Sequence, residues 1–169
     1  MKIGQIQIIF TWIFILILAS AILFYGIKTV KKTQELGNEA VVINFFKSLN
    51  SRINTYYYLS MGSSNIEEFN LLSDINCICF TKDNVNIKIP NNEIKCENID
   101  SSYKDYFGDL KDYDNVFLFS DKSYQQDRMN VSFIYIEDNY NPTCIQVNNG
   151  LLRIKLENIG IKGVNISNV

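Results

Sequence analysis

Spacing marks one set of chemically capable side chains: Cys77, Cys79, Cys96 and Cys144. An even count permits two disulfides, in any of three connectivities. Cys77-Ile78-Cys79 does not have the usual interval of a zinc site, and the chain contains no histidine, so a bound metal would need all four sulfurs. The same interval departs from the C-x-x-C of redox-active pairs. On a strand, Cys77 and Cys79 would point to one face. Neighbouring bonds to Cys96 and Cys144 suit that geometry, and each would contribute about 2–4 kcal/mol. Disulfides are therefore the expected chemistry. The missing histidine also removes Ser-His-Asp and Cys-His catalysis and histidine-based pH switching.

Other polar groups give less. Asp100, Asp105, Asp109, Asp112 and Asp114 form an acidic run without EF-hand spacing, and read as a solvated face. Glu67-Glu68 and Glu137-Asp138 adjoin strand-like segments without a nucleophile or binding motif, and read as surface carboxylates. No glycine-rich phosphate loop or cofactor motif occurs. The expected function is accordingly non-enzymatic and needs no cofactor. Tyr56-Tyr57-Tyr58, with Tyr103, Tyr106, Tyr113, Tyr124 and Tyr140, could form a recognition surface or fill helix-to-sheet contacts. Asn130-Val131-Ser132 and Asn165-Ile166-Ser167 are glycosylation sequons, whereas proline disqualifies Asn141-Pro142-Thr143. With 25 isoleucines and 21 asparagines against three arginines and three alanines, asparagine clusters are discounted as compositional bias.

The elements that must position these groups begin with an uncharged run, residues 8–27, IIFTWIFILILASAILFYGI. A hydrocarbon core about 30 Å thick needs roughly 20 helical residues. Trp12 and Tyr25 stand near its two ends, where amphipathic rings favour the membrane interface. The run continues past the small residues Ala19-Ser20-Ala21, so a retained anchor is expected rather than a cleaved signal peptide. Lys28, Lys31 and Lys32 follow the span and Lys2 precedes it. Taken alone, that imbalance slightly favours a cytoplasmic C-terminal region. The four cysteines and the sequons point the other way, so the expected localisation is a single-pass cell-membrane protein with its C-terminal domain extracellular.

Charge divides the chain: residues 1–60 carry six Lys/Arg and two Glu, and residues 61–169 carry ten Lys/Arg and sixteen Asp/Glu. An acidic head without a basic stripe excludes nucleic acid as a partner. After the span, Val42, Phe46, Leu49, Ile53 and Tyr56 recur at spacings of 4, 3, 4 and 3, which draws one apolar helical stripe. Gly37 is a candidate bend, and Met61-Gly62-Ser63-Ser64 a stop. Residues 5–27 are thus read as a membrane-embedded helix, 28–60 as its amphipathic continuation, and 61–169 as a β-rich head.

Within the head, residues 67–72, 77–80, 85–89, 115–119, 131–136, 143–147 and 151–156 read as short strands. Residues 100–114 read mainly as a loop. Asn148-Asn149-Gly150 is a hairpin-turn signal. The expected fold class is α+β, a long N-terminal helix packed on a mainly antiparallel sheet.

Lys2-Ile3-Gly4-Gln5, followed at once by the apolar run, resembles the class III signal of archaeal type IV pilin-like proteins. The resemblance implies that residues 1–4 are a leader, which a prepilin peptidase removes between Gly4 and Gln5. It implies that the helix, through Ile9, Phe10, Ile13, Leu16, Ile17 and Phe24, contacts membrane lipid first and neighbouring copies in a helical filament afterwards. The stripe from Val42 to Tyr56 would carry an external β head. Two positions depart from the pattern: Ile3 stands where a basic residue is expected, and Ile9 where mature pilins often carry an acidic one.

Overall fold

The computed structural model describes residues 3–82, 114–120, 122, 124, 126–137 and 142–169, with side-chain surroundings from Thr11 onward. The chain divides into two compact units, Met1–Asn38 and Glu39–Val169. The described part of the first is helical. It belongs to α1 (Ile3–Tyr57), whose assignment runs through Gly37 without a break. Candidate strand 85–89, the loop at 100–114 up to Tyr113, and Cys96 lie outside the described residues.

In the second unit, α1 and two four-stranded sheets share one core, an α+β arrangement. The predicted stripe is buried throughout: Val42, Phe46, Leu49, Ile53 and Tyr56 all face the sheets. Phe45 joins them, its ring meeting Phe69 edge-on at 5.5 Å between centroids. Each large apolar side chain so buried contributes about 1.5–3 kcal/mol.

The strands are β1 (Ser64–Asn70), β2 (Ile75–Phe80), β3 (Val116–Ser120), β4 (Arg128–Met129), β5 (Ile134–Tyr135), β6 (Thr143–Gln146), β7 (Leu151–Asn158) and β8 (Val164–Asn168). One sheet has the order β1-β7-β8-β5, the other β4-β3-β2-β6. All pairings are antiparallel except β5 with β8. Strand β7 shows the two-residue period of a half-buried strand: Leu152, Ile154 and Leu156 enter the core, and Arg153 is exposed.

Four departures from the sequence reading have physical causes. The sheet is split in two rather than single. Strand β1 starts earlier than residue 67 and stops at Asn70, while β8 lies in a segment read only as a sequon. Of the segment 131–136 only Ile134 and Tyr135 are strand, and Ser132 and Phe133 form a turn. The buried Asn115 side chain donates to the Val131 carbonyl and accepts from its amide, each at 2.8 Å, so it takes both groups that a partner strand would use. Phe133 then adopts φ 65°, leaving only Ile134 and Tyr135 to pair with β8. Finally, Asn149 and Gly150 form a turn with positive φ at both residues, as the sequence signal requires, and Asn148 bridges Leu151. Its flanking strands part into different sheets, so the turn is a corner rather than a hairpin end. A Cβ at Gly150 would lie 2.6 Å from the Leu71 carbonyl oxygen, where backbone is in the way.

The C-terminal end of α1 is held by a buried asparagine from the end of β7. The Asn158 amide donates to the carbonyls of Tyr57 at 3.1 Å and Leu59 at 2.7 Å, and its oxygen accepts from the Gly160 amide at 2.7 Å. Its backbone pairs with Gly62 and Ser63. Helix ends leave carbonyls without partners, and burial makes that costly. Asn158→Ala is expected to lower the stability of the chain by about 1–3 kcal/mol in denaturant titration, since three part-buried backbone groups lose a partner. Asn54→Ala, on the exposed face of α1, should change it by less than about 0.5 kcal/mol.

Candidate functional site

The N-terminal unit presents apolar surface with nothing of its own to cover it. Ile13, Leu16, Ile17 and Phe24 are all exposed, as are Trp12 and Tyr25. Among the described residues, α1 alone is long and apolar enough to cross a membrane, and none of its most apolar window is buried. Gly4, Gln5, Ile9 and Phe10 fall in the described helix, where only the backbone course is defined. The candidate processing and packing roles of these residues therefore rest on the sequence.

In the head, β2 carries the cysteines on one face and core residues on the other. Ile78 and Phe80 belong to the shared core. Cys77 and Cys79 are also buried, on the face that they share with Phe117 across the register. Strand β6 places Cys144 directly opposite Cys79, with the two Cα atoms 4.0 Å apart, and the pair is disulfide-bonded. Cys77 is disulfide-bonded as well, and no described cysteine is free. The sulfurs of Cys77, Cys79 and Cys144 lie within 4.8 Å of one another. That proximity would suit a thiophilic metal, but sulfurs in disulfides are not thiolates and do not ligate one in this state.

Glu67 and Glu68 are held by neighbouring side chains. Glu67 accepts from the Tyr56 hydroxyl at 2.9 Å and lies 3.4 Å from Arg52; Glu68 pairs with Arg153 at 2.9 Å. Burial and the Glu67 hydrogen bond raise the Tyr56 pKa. A second cluster ties β2 to the segment after β3. Asp74 accepts from the Tyr124 hydroxyl at 2.7 Å and from Lys122 at 3.0 Å, while Ser120 donates to the Asp74 carbonyl. Burial opposes ionisation of Asp74, yet hydrogen bonds from Tyr124 and Lys122 outweigh it and hold its carboxyl below the ordinary value. Burial, then the Asp74 bond, pushes Tyr124 up to about 12.

The tyrosine alternatives divide by residue. Tyr56 is packed, and Tyr57 stacks on Phe133 with centroids 3.9 Å apart, whereas Tyr58 is exposed. Tyr103, Tyr106, Tyr113 and Tyr140 lie outside the described residues. Asn130 is exposed and Asn165 half-buried in β8. The sequence reading missed Asn115 and Asn158 because it discounted asparagine. The usable signal was an asparagine at the edge of an apolar run, where a backbone end needs a partner.

No family model, curated protein or solved structure matches this chain.

Stability and titration measurements test these clusters. Reduction of the Cys79–Cys144 bond should cost about 2–4 kcal/mol of stability, toward the upper end because it closes a 65-residue separation. Asp74, with a depressed folded pKa, contributes fully above about pH 4, and that contribution is lost as pH falls through the lower folded value. Tyr124, with a raised one, contributes fully below about pH 10 and loses its contribution as pH rises toward 12. Tyr124→Phe should lower stability by about 1–2 kcal/mol at neutral pH and move the Asp74 midpoint upward in a carboxyl NMR titration.

Proposed function

We propose that this chain is a structural, non-enzymatic surface protein of pilin-like construction, held in the cell membrane by the first half of α1. In this reading the head is extracellular and the chain is a subunit of an archaeal type IV pilus-like filament. The observation that carries the reading is a single helix with two environments. Its first part exposes an uninterrupted apolar surface, and its second part buries a stripe under a disulfide-stapled head. Lipid satisfies the first surface before assembly, and neighbouring helices replace lipid afterwards. Disulfides persist in oxidising compartments, which supports an outward head. Lys2-Ile3-Gly4-Gln5 supplies the processing site for a prepilin peptidase.

One observation favours a second reading, a monomeric membrane-anchored binding or sensor module. Ile9 offers no carboxylate to pair with the amino terminus of a neighbouring subunit. Both readings retain the anchor and differ in polymerisation.

Intact mass and N-terminal sequencing of the protein from native membranes test the construction. A mature terminus at Gln5 is expected, with filaments visible by electron microscopy. A terminus near Ala21 would remove the retained anchor. A Gln5 terminus on a chain that stays monomeric after detergent extraction and forms no filament would select the second reading.

A further inference from the structure

Three sulfurs converge on one face of the β4-β3-β2-β6 sheet. Cys77 and Cys79 belong to β2 and Cys144 to β6, and their sulfurs lie within 4.8 Å of one another. Among the described residues no other three cysteine or carboxylate side chains converge so closely. The register fixes the arrangement: Cys79 stands opposite Cys144, and Cys77 stands two residues along the same face, opposite Gln146. Across the other edge of β2, Phe117 stands opposite Cys79 and Phe119 opposite Cys77. Cys77, Cys79 and Phe117 are fully buried, and Cys144 alone of the three cysteines is partly exposed.

Backbone pairing holds these positions without help from the sulfurs. Strand β2 is interior to its sheet, between β3 and β6. The Val147 amide donates to the Asn76 carbonyl at 2.9 Å, which continues the ladder past the cysteines. On the opposite face of β2, Ile78 and Phe80 lie in the shared core. Opening a disulfide therefore removes a link between β2 and β6 and leaves their register. The bonds at Cys79–Cys144 and at Cys77 are oxidised forms of thiols. A tetrahedral zinc ion with sulfurs at about 2.3 Å sets those sulfurs about 3.8 Å apart, which lies inside the span that the three already occupy.

We propose that in the reduced chain Cys77, Cys79 and Cys144 form a three-thiolate zinc site. The three thiols release their protons to solvent as three Zn–S bonds form, and water completes the coordination beside Cys144, the ligand that solvent reaches. Soft sulfur ligands select zinc or copper(I) over hard cations. Charge then selects zinc: three thiolates leave the dication one surplus negative charge, where copper(I) would be left with two. The same count explains why the site needs no fourth thiolate, since surplus charge is costly against the buried Phe117. The disulfide-bonded head and the zinc-bound head are two states of one ladder. Holding three thiolates on one ion also keeps them from pairing at random, which four cysteines otherwise do in three ways. The site lies wholly in the second unit and depends on neither the anchor nor a filament.

The test uses the full chain in detergent micelles. A trialkylphosphine opens each disulfide to two thiols, leaves as its oxide, and is removed without air. Added Zn²⁺ should remain at one ion per chain after gel filtration, and X-ray absorption should show three sulfurs at about 2.3 Å with one lighter atom. The zinc-loaded chain should keep the near-ultraviolet dichroism of the oxidised head. In competition with a chromophoric chelator, Cys96→Ser should bind zinc within threefold of the parent, while Cys77→Ser and Cys144→Ser should each bind at least thirtyfold more weakly. The sulfur count on the parent and on Cys96→Ser decides the matter even where a ligand variant fails to fold. No retained zinc, zinc on a chain without native dichroism, four sulfurs, or a loss with Cys96→Ser equal to that with Cys77→Ser overturns the site. Each of those results leaves the anchor and the filament reading as they stand.

Discussion

The head is organised around the way its helix is finished. The last carbonyls of a helix have no partner within it. The Asn158 side chain reaches the carbonyl of Tyr57, the last helical residue, and that of Leu59 just beyond it, while its own backbone pairs with Gly62 and Ser63 and its oxygen takes the Gly160 amide. One residue thereby joins the end of the helix, the start of β1, the end of β7 and the turn before β8. The apolar stripe supplies most of the burial, but burial is indifferent to rotation and sliding. Directional bonds at one end convert an oily contact into a register.

What was legible in the sequence was what depends on periodicity. The 4-3-4-3 spacing from Val42 to Tyr56 placed five side chains in the core, and the alternation of residues 151–156 marked β7. Cys77 and Cys79 shared a face because a strand's period is two. What was not legible depends on partners distant in sequence. Residues 131–136 have strand composition, yet Asn115 takes the Val131 backbone and turns the chain. Residues 164–168 are short and polar at alternate positions, and become strand because β7 and β5 flank them. The turn at Asn149-Gly150 was readable from local conformational preference, but the destination of its strands was not.

The same division applies to the site. An exposed apolar helix surface can be inferred from composition and length, because both report directly on solvent preference. The disulfide was inferable as a class and not as a pairing, since four cysteines permit three connectivities. The stacking of Tyr57 on Phe133 was the least readable, because it joins the helix end to a positive-φ turn that no spacing in the sequence relates to it.

Strand β8 bears on how the head comes to exist. It lies between β7 and β5 and follows both in the chain, so the sheet acquires an interior member last. Strand β5 precedes β7 in the chain, yet it has no neighbour in its sheet until residues 164–168 are in place. Completion of that sheet therefore waits for β8, whichever of its other strands form first.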